Sequence, residues 1–230
     1  MNRLGMPSHV KRTPIFGLGC VGGVSGIARA ADAVRAWPDQ VAVLLSVELC
    51  SLTIQWNDHS VRNMIASGLF GDGAAAVVLA GGGQGLPGPR VRASRASFSR
   101  DTEDLMGWDV CEQGFQIVLS ADVPRVVREK LRPDVDLFLA EQGLELADIG
   151  CFVCHPGGPR VLEACQNGLD LRNGELDLTW QCLQRVGNLS SASVLMVLHE
   201  TQNRGVPPGT LGLMIGMGPG FCSELVLLEW

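Results

Sequence analysis

Apolar positions in the first third of the chain follow two different patterns. Between Val21 and Trp37 they recur at Val24, Ile27, Ala28, Ala31 and Val34, the spacing of one helix face, and Pro38 closes the segment. VAVLLSVEL (41–49) has no such period. It is a continuous apolar run of strand length, which predicts a strand covered on both faces. GLFGDGAAAVVLAGG (68–82) predicts a turn and then a second buried strand. GGGQGLPGP (81–89) reads as a linker, placing a domain boundary near residue 82.

Further along, Asp122 is positioned as the N-cap of DVPRVVREKL, with Pro124 tolerated in the first turn. A second helix is predicted from Asp134 to Gln142, stopped by Gly143. GCFVCH (150–155) has the length of a short strand and is followed by PGGP and the helix RVLEACQNGL. LTWQCLQRV, GNLSSASVLMVLHETQNRG and the hairpin-like TLGLMIGMGPGFCSELVLLEW complete the chain. Strands alternate with helices on both sides of the linker, which makes the class α/β.

Charge and composition narrow the partners. The net charge is −6 and the longest basic run is the pair Lys11–Arg12, so the electrostatic footprint of a nucleic-acid or anionic-membrane binder is missing. No apolar stretch reaches the length of a membrane span, and MNRLGMPSHVKRTP lacks the apolar core of a signal peptide. Eight cysteines lie mostly inside apolar segments, which reads as reduced thiols in a cytoplasmic protein.

Four places could carry chemistry. Gly17, Gly19 and Gly22 spell the dinucleotide fingerprint, and Glu48 ends the next strand at a plausible distance for a ribose contact. HVKRTPIF, with two cations and a proline, stands where the fingerprint's first strand should be. The same turn places Cys20 at a helix start, where the helix dipole favours a thiolate, although a buried cysteine in a packing turn would look alike. CFVCH (151–155) matches a haem-attachment pattern, but it lies in an apolar strand without an export signal, and no second C-x-x-C completes a zinc site. His155 stands at the carboxyl end of that strand, where α/β proteins collect working residues. Asn188 precedes an apolar helix with Ser190 and Ser191 in its first turn. This is either a simple cap or an amide donor suited to an oxyanion. His9, His59 and His199 need only surface or packing roles.

GLGCVGG, LFGDGAAAVV, HPGGPRVLE, GNLSSASVL and GMGPG occur in the order and approximate spacing of the type III polyketide synthases, the chalcone and stilbene synthase family. The chain resembles that family from Leu4 to Trp230, with wording closer to bacterial alkylresorcinol or alkylpyrone synthases than to plant members. The resemblance implies a thiolase-like fold of two related halves layered α/β/α/β/α. Residues 1–82 would be the remnant of an N-terminal half and 83–230 the C-terminal half. Roughly a third of the family's chain precedes the cysteine motif, so the resemblance implies N-terminal truncation of a form that is otherwise a homodimer.

Residue by residue, Cys20 matches the nucleophile that takes the acyl group from an acyl-CoA starter. His155 and Asn188 match the pair that promotes malonyl-CoA decarboxylation. Phe70 and Ile117 match gate positions, and Cys50, Thr53 and Ser190 match cavity-lining ones. Gly216, Gly218, Pro219 and Gly220 belong to the substrate-side GMGPG run. The implied cofactor set is empty, coenzyme A thioesters being the substrates. The small branched Ile117 points to a long-chain starter, with a tetrahydroxynaphthalene-type product from malonyl units as the other option. A ketoacyl-ACP synthase III-like enzyme, or a remnant that only binds a partner, are the competing readings.

Overall fold

In β7 (Leu211–Gly218) the side chains of Leu213, Ile215 and Met217 enter one apolar cluster, and Met214 enters another on the opposite face. A strand with both faces buried must lie between two covering layers, and the computed structural model, which describes residues 2–112 and 114–230, supplies both. The sheet runs β3 (Arg90–Phe98), β8 (Cys222–Glu229), β7, β6 (Ile149–Cys154). β6 and β7 are parallel and the other two pairs antiparallel, with β7 and β8 forming the predicted hairpin.

One face of this sheet carries α3 (Val123–Ala140) and α4 (Pro159–Leu169), whose buried Phe138, Leu131 and Leu162 fill the larger cluster. The other face carries α1 (Gly22–Ala36) and α6 (Ser191–Arg204). In α1 the buried positions include Val24, Ile27, Ala28, Ala31 and Val34, the face that the 3.6-residue period marks out. α5 (Asp177–Val186) packs beside α6. On the far side of α1 and α6 lies the antiparallel pair β1 (Val41–Glu48) and β2 (Gly73–Ala80), with α2 (Val61–Leu69) between them in sequence.

Three expectations change. The β1–β2 pair is covered on one face only: Leu44, Ala75, Val77 and Leu79 pack on the helices, whereas Leu45 and Val47 are 60% and 67% exposed. A continuous apolar run hides this alternation, because both sets of positions are equally apolar. Among the described residues no helix packs on the outer face of this pair. Second, residues 123–140 form one helix and not two. Pro133 removes one amide donor inside it, yet Leu131, Val135, Phe138 and Leu139 continue a single buried stripe. Third, the antiparallel pair β4 (Met106–Cys111) and β5 (Gly114–Leu119) was not anticipated, although its cross-strand partners Met106–Leu119 and Trp108–Ile117 alternate as strand residues do.

α1 and α6 approach closely where glycines permit it. A Cβ added to Gly23 would overlap the Ser191 carbonyl oxygen, and one on Gly22 would lie 3.2 Å from the Ser191 Cβ. Gly23→Ala is therefore expected to lower unfolding stability by about 1–3 kcal/mol despite alanine's better helix propensity. Denaturant titration checks this, and an unchanged midpoint would refute the contact.

Candidate active site

The three elements that face one another at the ends of β6, α1 and α6 bring three side chains into a single cavity of about 770 Å³. Cys20 sits in a short 3-10 turn, Gly19–Val21, immediately before α1. Gly19 (φ 51) takes a left-handed backbone there, with Pro219 of the GMGPG run 3.1 Å from where its Cβ would be. His155 follows the last residue of β6, and its backbone N–H donates to Ile215 O at 2.8 Å. Asn188 lies in the turn between α5 and α6 and is tied to the loop after α2. Its N–H donates to Leu69 O at 2.9 Å, and Gly71 N–H donates to Asn188 O at 3.0 Å.

The Asn188 side chain is oriented by its neighbours. Ser190 N–H donates to Oδ1 at 2.8 Å, so Nδ2 is turned the other way and donates to Gly157 O at 3.1 Å. The Cys20 Sγ lies 3.9 Å from that Nδ2. Both ring nitrogens of His155 are buried without a partner among the described residues. A buried imidazole with two free nitrogens is costly unless it serves a ligand, and here it faces the cavity.

Protonation differs from the expectation for Cys20. Burial pushes its thiol up to about 12, with the Ser190 and Asn188 side chains pulling it down and Glu48 and Cys50 pushing it further up. Desolvation outweighs a helix start, so the resting group is a thiol and not the thiolate that its place at the head of α1 suggested. Burial alone pushes His155 down to about 4. The pair therefore rests uncharged.

The remaining sequence candidates divide. Phe70, Ile117, Cys50, Thr53, Ser190 and Pro219 all line the cavity. Gly216 and Gly218 instead pack behind its wall against Val24 and Val21, and Gly220 lies against Phe98. Their role in this structure is close packing, since a Cβ at 216 or 218 would strike α1 and the turn that carries Cys20. Sequence reasoning missed Met106, Trp108 and Leu119, the wall contributed by β4 and β5. Their alternation with Ile117 was the available signal. Cys151 and Cys154 stand three apart on β6 and so point to opposite faces, which disposes of a shared haem or metal role. Of the fingerprint glycines, Gly22 packs against Ser191 of α6, Gly19 approaches Pro219 and Gly17 has nothing within 4 Å of where its Cβ would be, so the place of a phosphate at the head of α1 is taken by Ser191.

Comparison with known proteins gives a consistent result. Residues 90–229 match the family model "Chalcone and stilbene synthases, C-terminal domain", and residues 1–83 the corresponding N-terminal domain. The chain is 53% identical to a 1,3,6,8-tetrahydroxynaphthalene synthase of Streptomyces peucetius subsp. caesius over 99% of its own length and 61% of that protein's. It is 40% identical to a putative chalcone synthase of Bacillus subtilis, covering 65% of it. The crystal structure of 1,3,6,8-tetrahydroxynaphthalene synthase from Streptomyces coelicolor A3(2), a bacterial type III polyketide synthase, superposes with a TM-score of 0.95 at 34% identity. All of this chain is covered in that superposition, and 65% of the other. The chain thus spans a little under two thirds of the length of these relatives, with the thiolase-like α/β fold throughout. It belongs to the chalcone and stilbene synthase family, the type III polyketide synthases.

Proposed function

We propose that this chain carries the condensing site of a type III polyketide synthase, an acyltransferase that extends a cysteine-bound acyl group with malonyl-CoA. The observation that carries the reading is the convergence of Cys20, His155 and Asn188, distant in sequence, on one largely apolar cavity. Cys20 Sγ attacks the thioester carbonyl of the starter, the bond to the CoA sulfur breaks, and the thiol proton passes through the His155 imidazole to the departing CoA thiolate. In malonyl-CoA the bond to the carboxylate then breaks. CO2 leaves, and the electron pair enters the thioester as an enolate whose oxygen takes hydrogen bonds from His155 and Asn188. The enolate carbon attacks the acyl group on Cys20, the cysteine sulfur leaves as a thiolate that either takes up the extended chain in the next round or is reprotonated from solvent, and a CoA thioester two carbons longer results. Repetition and ring closure yield an aromatic polyketide. These steps balance with coenzyme A thioesters alone.

The product reading shifts from an alkylresorcinol or alkylpyrone towards a polyhydroxylated aromatic built from malonyl units, because the 53% identical relative is a tetrahydroxynaphthalene synthase. A cytoplasmic homodimer is part of the same proposal. Among the described residues no helix is long and apolar enough to cross a membrane.

Intact-mass analysis after incubation with malonyl-CoA alone, and with medium- and long-chain acyl-CoAs, tests the reading. An acyl adduct is expected on the wild-type chain and none on Cys20→Ala. An adduct that persists in Cys20→Ala would overturn the nucleophile, and extension only with long-chain starters would restore the alkyl product.

A further inference from the structure

Ser191, the first residue of α6, is held from three directions, and none of the contacts is explained by the chemistry above. A single oxygen of Glu48, Oε1, accepts from the Ser191 backbone N–H at 3.2 Å and also takes a short hydrogen bond from the Ser191 hydroxyl. Since that hydroxyl donates to Glu48, the Ser46 hydroxyl, 2.8 Å away, is the donor to Ser191 Oγ. On the opposite side lie Gly22 and Gly23, two and three residues after Cys20, with no room for a side chain between them and Ser191. Ser191 is thus wedged between the end of β1 and the start of α1, three residues after Asn188.

We propose that Glu48 is a positioning residue that, through Ser191, sets where the Asn188 amide and the Ser190 hydroxyl stand relative to the Cys20 sulfur. α6 has no side-chain cap of its own: Ser190, at the N-cap position, makes no capping bond and holds a left-handed φ of 50°. The Glu48 carboxylate supplies the missing cap from another strand and favours the positive end of the helix. Releasing it frees the Ser190–Ser191 turn, and with it the Ser190 N–H that orients the Asn188 amide at 2.8 Å. The inference rests on the catalytic reading of Asn188, yet it makes a prediction about the thiol that holds whether or not polyketide is formed.

Ser190 and Asn188 pull the Cys20 thiol towards ionisation, and the Glu48 charge opposes it, so the link and the charge act in opposite directions. The titratable groups facing Cys20 are Glu48 from β1, Cys50 just beyond it and His155 from the end of β6. The last two stay unaltered in every variant used. The test is the rate of Cys20 carbamidomethylation by iodoacetamide at pH 9, read by peptide mass on the full chain.

Ser191→Ala keeps the charge and the backbone N–H bond to Glu48 but loses the hydroxyl's bond, which weakens the link, so it should react about two- to threefold more slowly than wild type. Glu48→Gln keeps an acceptor and removes the charge, so it should react faster than wild type by a similar factor. Glu48→Ala loses both and should be slower than Glu48→Gln. Equal rates for Ser191→Ala and wild type, or for Glu48→Ala and Glu48→Gln, would overturn the proposal. Should Ser191→Ala fail to fold, the two Glu48 variants decide it. Decarboxylation of malonyl-CoA gives a second readout, with kcat expected to fall about tenfold in Glu48→Ala and to be largely retained in Glu48→Gln, KM changing little in either. Absence of CO2 release by wild type would defeat the polyketide reading and leave the thiol pattern to judge Glu48.

Discussion

Asn188→Ala is expected to slow malonyl-CoA decarboxylation about 10²–10³-fold, the loss that follows removal of one preorganised donor from an enolate or oxyanion. On the proposed function, the Asn188 amide is oriented for this role. Oδ1 is occupied by the Ser190 N–H at 2.8 Å, one Nδ2 hydrogen goes to Gly157 O, and the other is directed at Cys20 Sγ, 3.9 Å away on the cavity side. Because the group is buried and already aimed, it need not reorganise when charge develops. His155→Ala should produce a loss of the same order, since its unpartnered ring nitrogen faces the same cavity. The two losses should not multiply, as both donors serve one oxygen. The measurement is CO2 release from malonyl-CoA, with Cys20 alkylation as a check that the site survives. Decarboxylation within twofold of wild type in Asn188→Ala would remove this residue from the chemistry.

The second large effect is on stability and depends on pH. His155 titrates near 4 in the folded chain, against 6.5 when unburied. Between those values the unfolded chain binds a proton that the folded chain refuses. The contribution is therefore fully present above pH 6.5 and is lost as pH falls through 4, amounting to about 3 kcal/mol. Cys20 acts at the other end. Its folded value near 12 exceeds 9.0, so the folded state keeps a proton that the unfolded state gives up, and stability falls as pH rises above 9, with Cys50 and Cys151, each pushed up to about 11 by burial, adding to the same limb. Urea unfolding across pH 4–10 should show a plateau between 6.5 and 9 with a decline on each side. His155→Gln should flatten the acid limb between 6.5 and 4. If the acid limb keeps its slope in that variant, His155 is not the group responsible. Asp58 and Asp72, exposed and lowered by hydrogen bonds from Ser60 and Ser51, act only below the ordinary carboxylate range, whereas Glu224, raised by burial, acts within the limb with the opposite sign, so the His155 contribution is read as the difference between wild type and His155→Gln.

That Cys20, His155 and Asn188 would share one cavity was legible because each stands at the end of a regular element, where a short motif fixes backbone direction. α1 was legible for the same local reason: its buried positions keep one period. The protonation of Cys20 was not legible, since the helix start is a local feature and the burial that overrides it comes from elements more than a hundred residues away. The single faces of β1 and β2 were hidden because Val43, Leu45 and Val47 are as apolar as Leu44, so the pattern cannot say which row meets α1 and α6. Gly22 was misleading for a related reason. A glycine that admits a neighbouring helix and one that admits a phosphate leave the same letter in the sequence, and only Ser191 distinguishes them.

The paired backbone bonds between Asn188 and the Leu69–Gly71 segment join residues more than a hundred positions apart. Loop closure of that length is an entropic cost borne before the contact gives any return, so such contacts form late during folding. Cys20 and Asn188, 168 positions apart, meet only after that closure. The cavity is therefore expected to be completed late in folding, which makes the Cys20 thiol a chemical reporter of the native topology. During refolding, the protection of Cys20 from alkylation should develop later than the protection of Cys154 and Cys165, which are buried in the cluster between the sheet and α4.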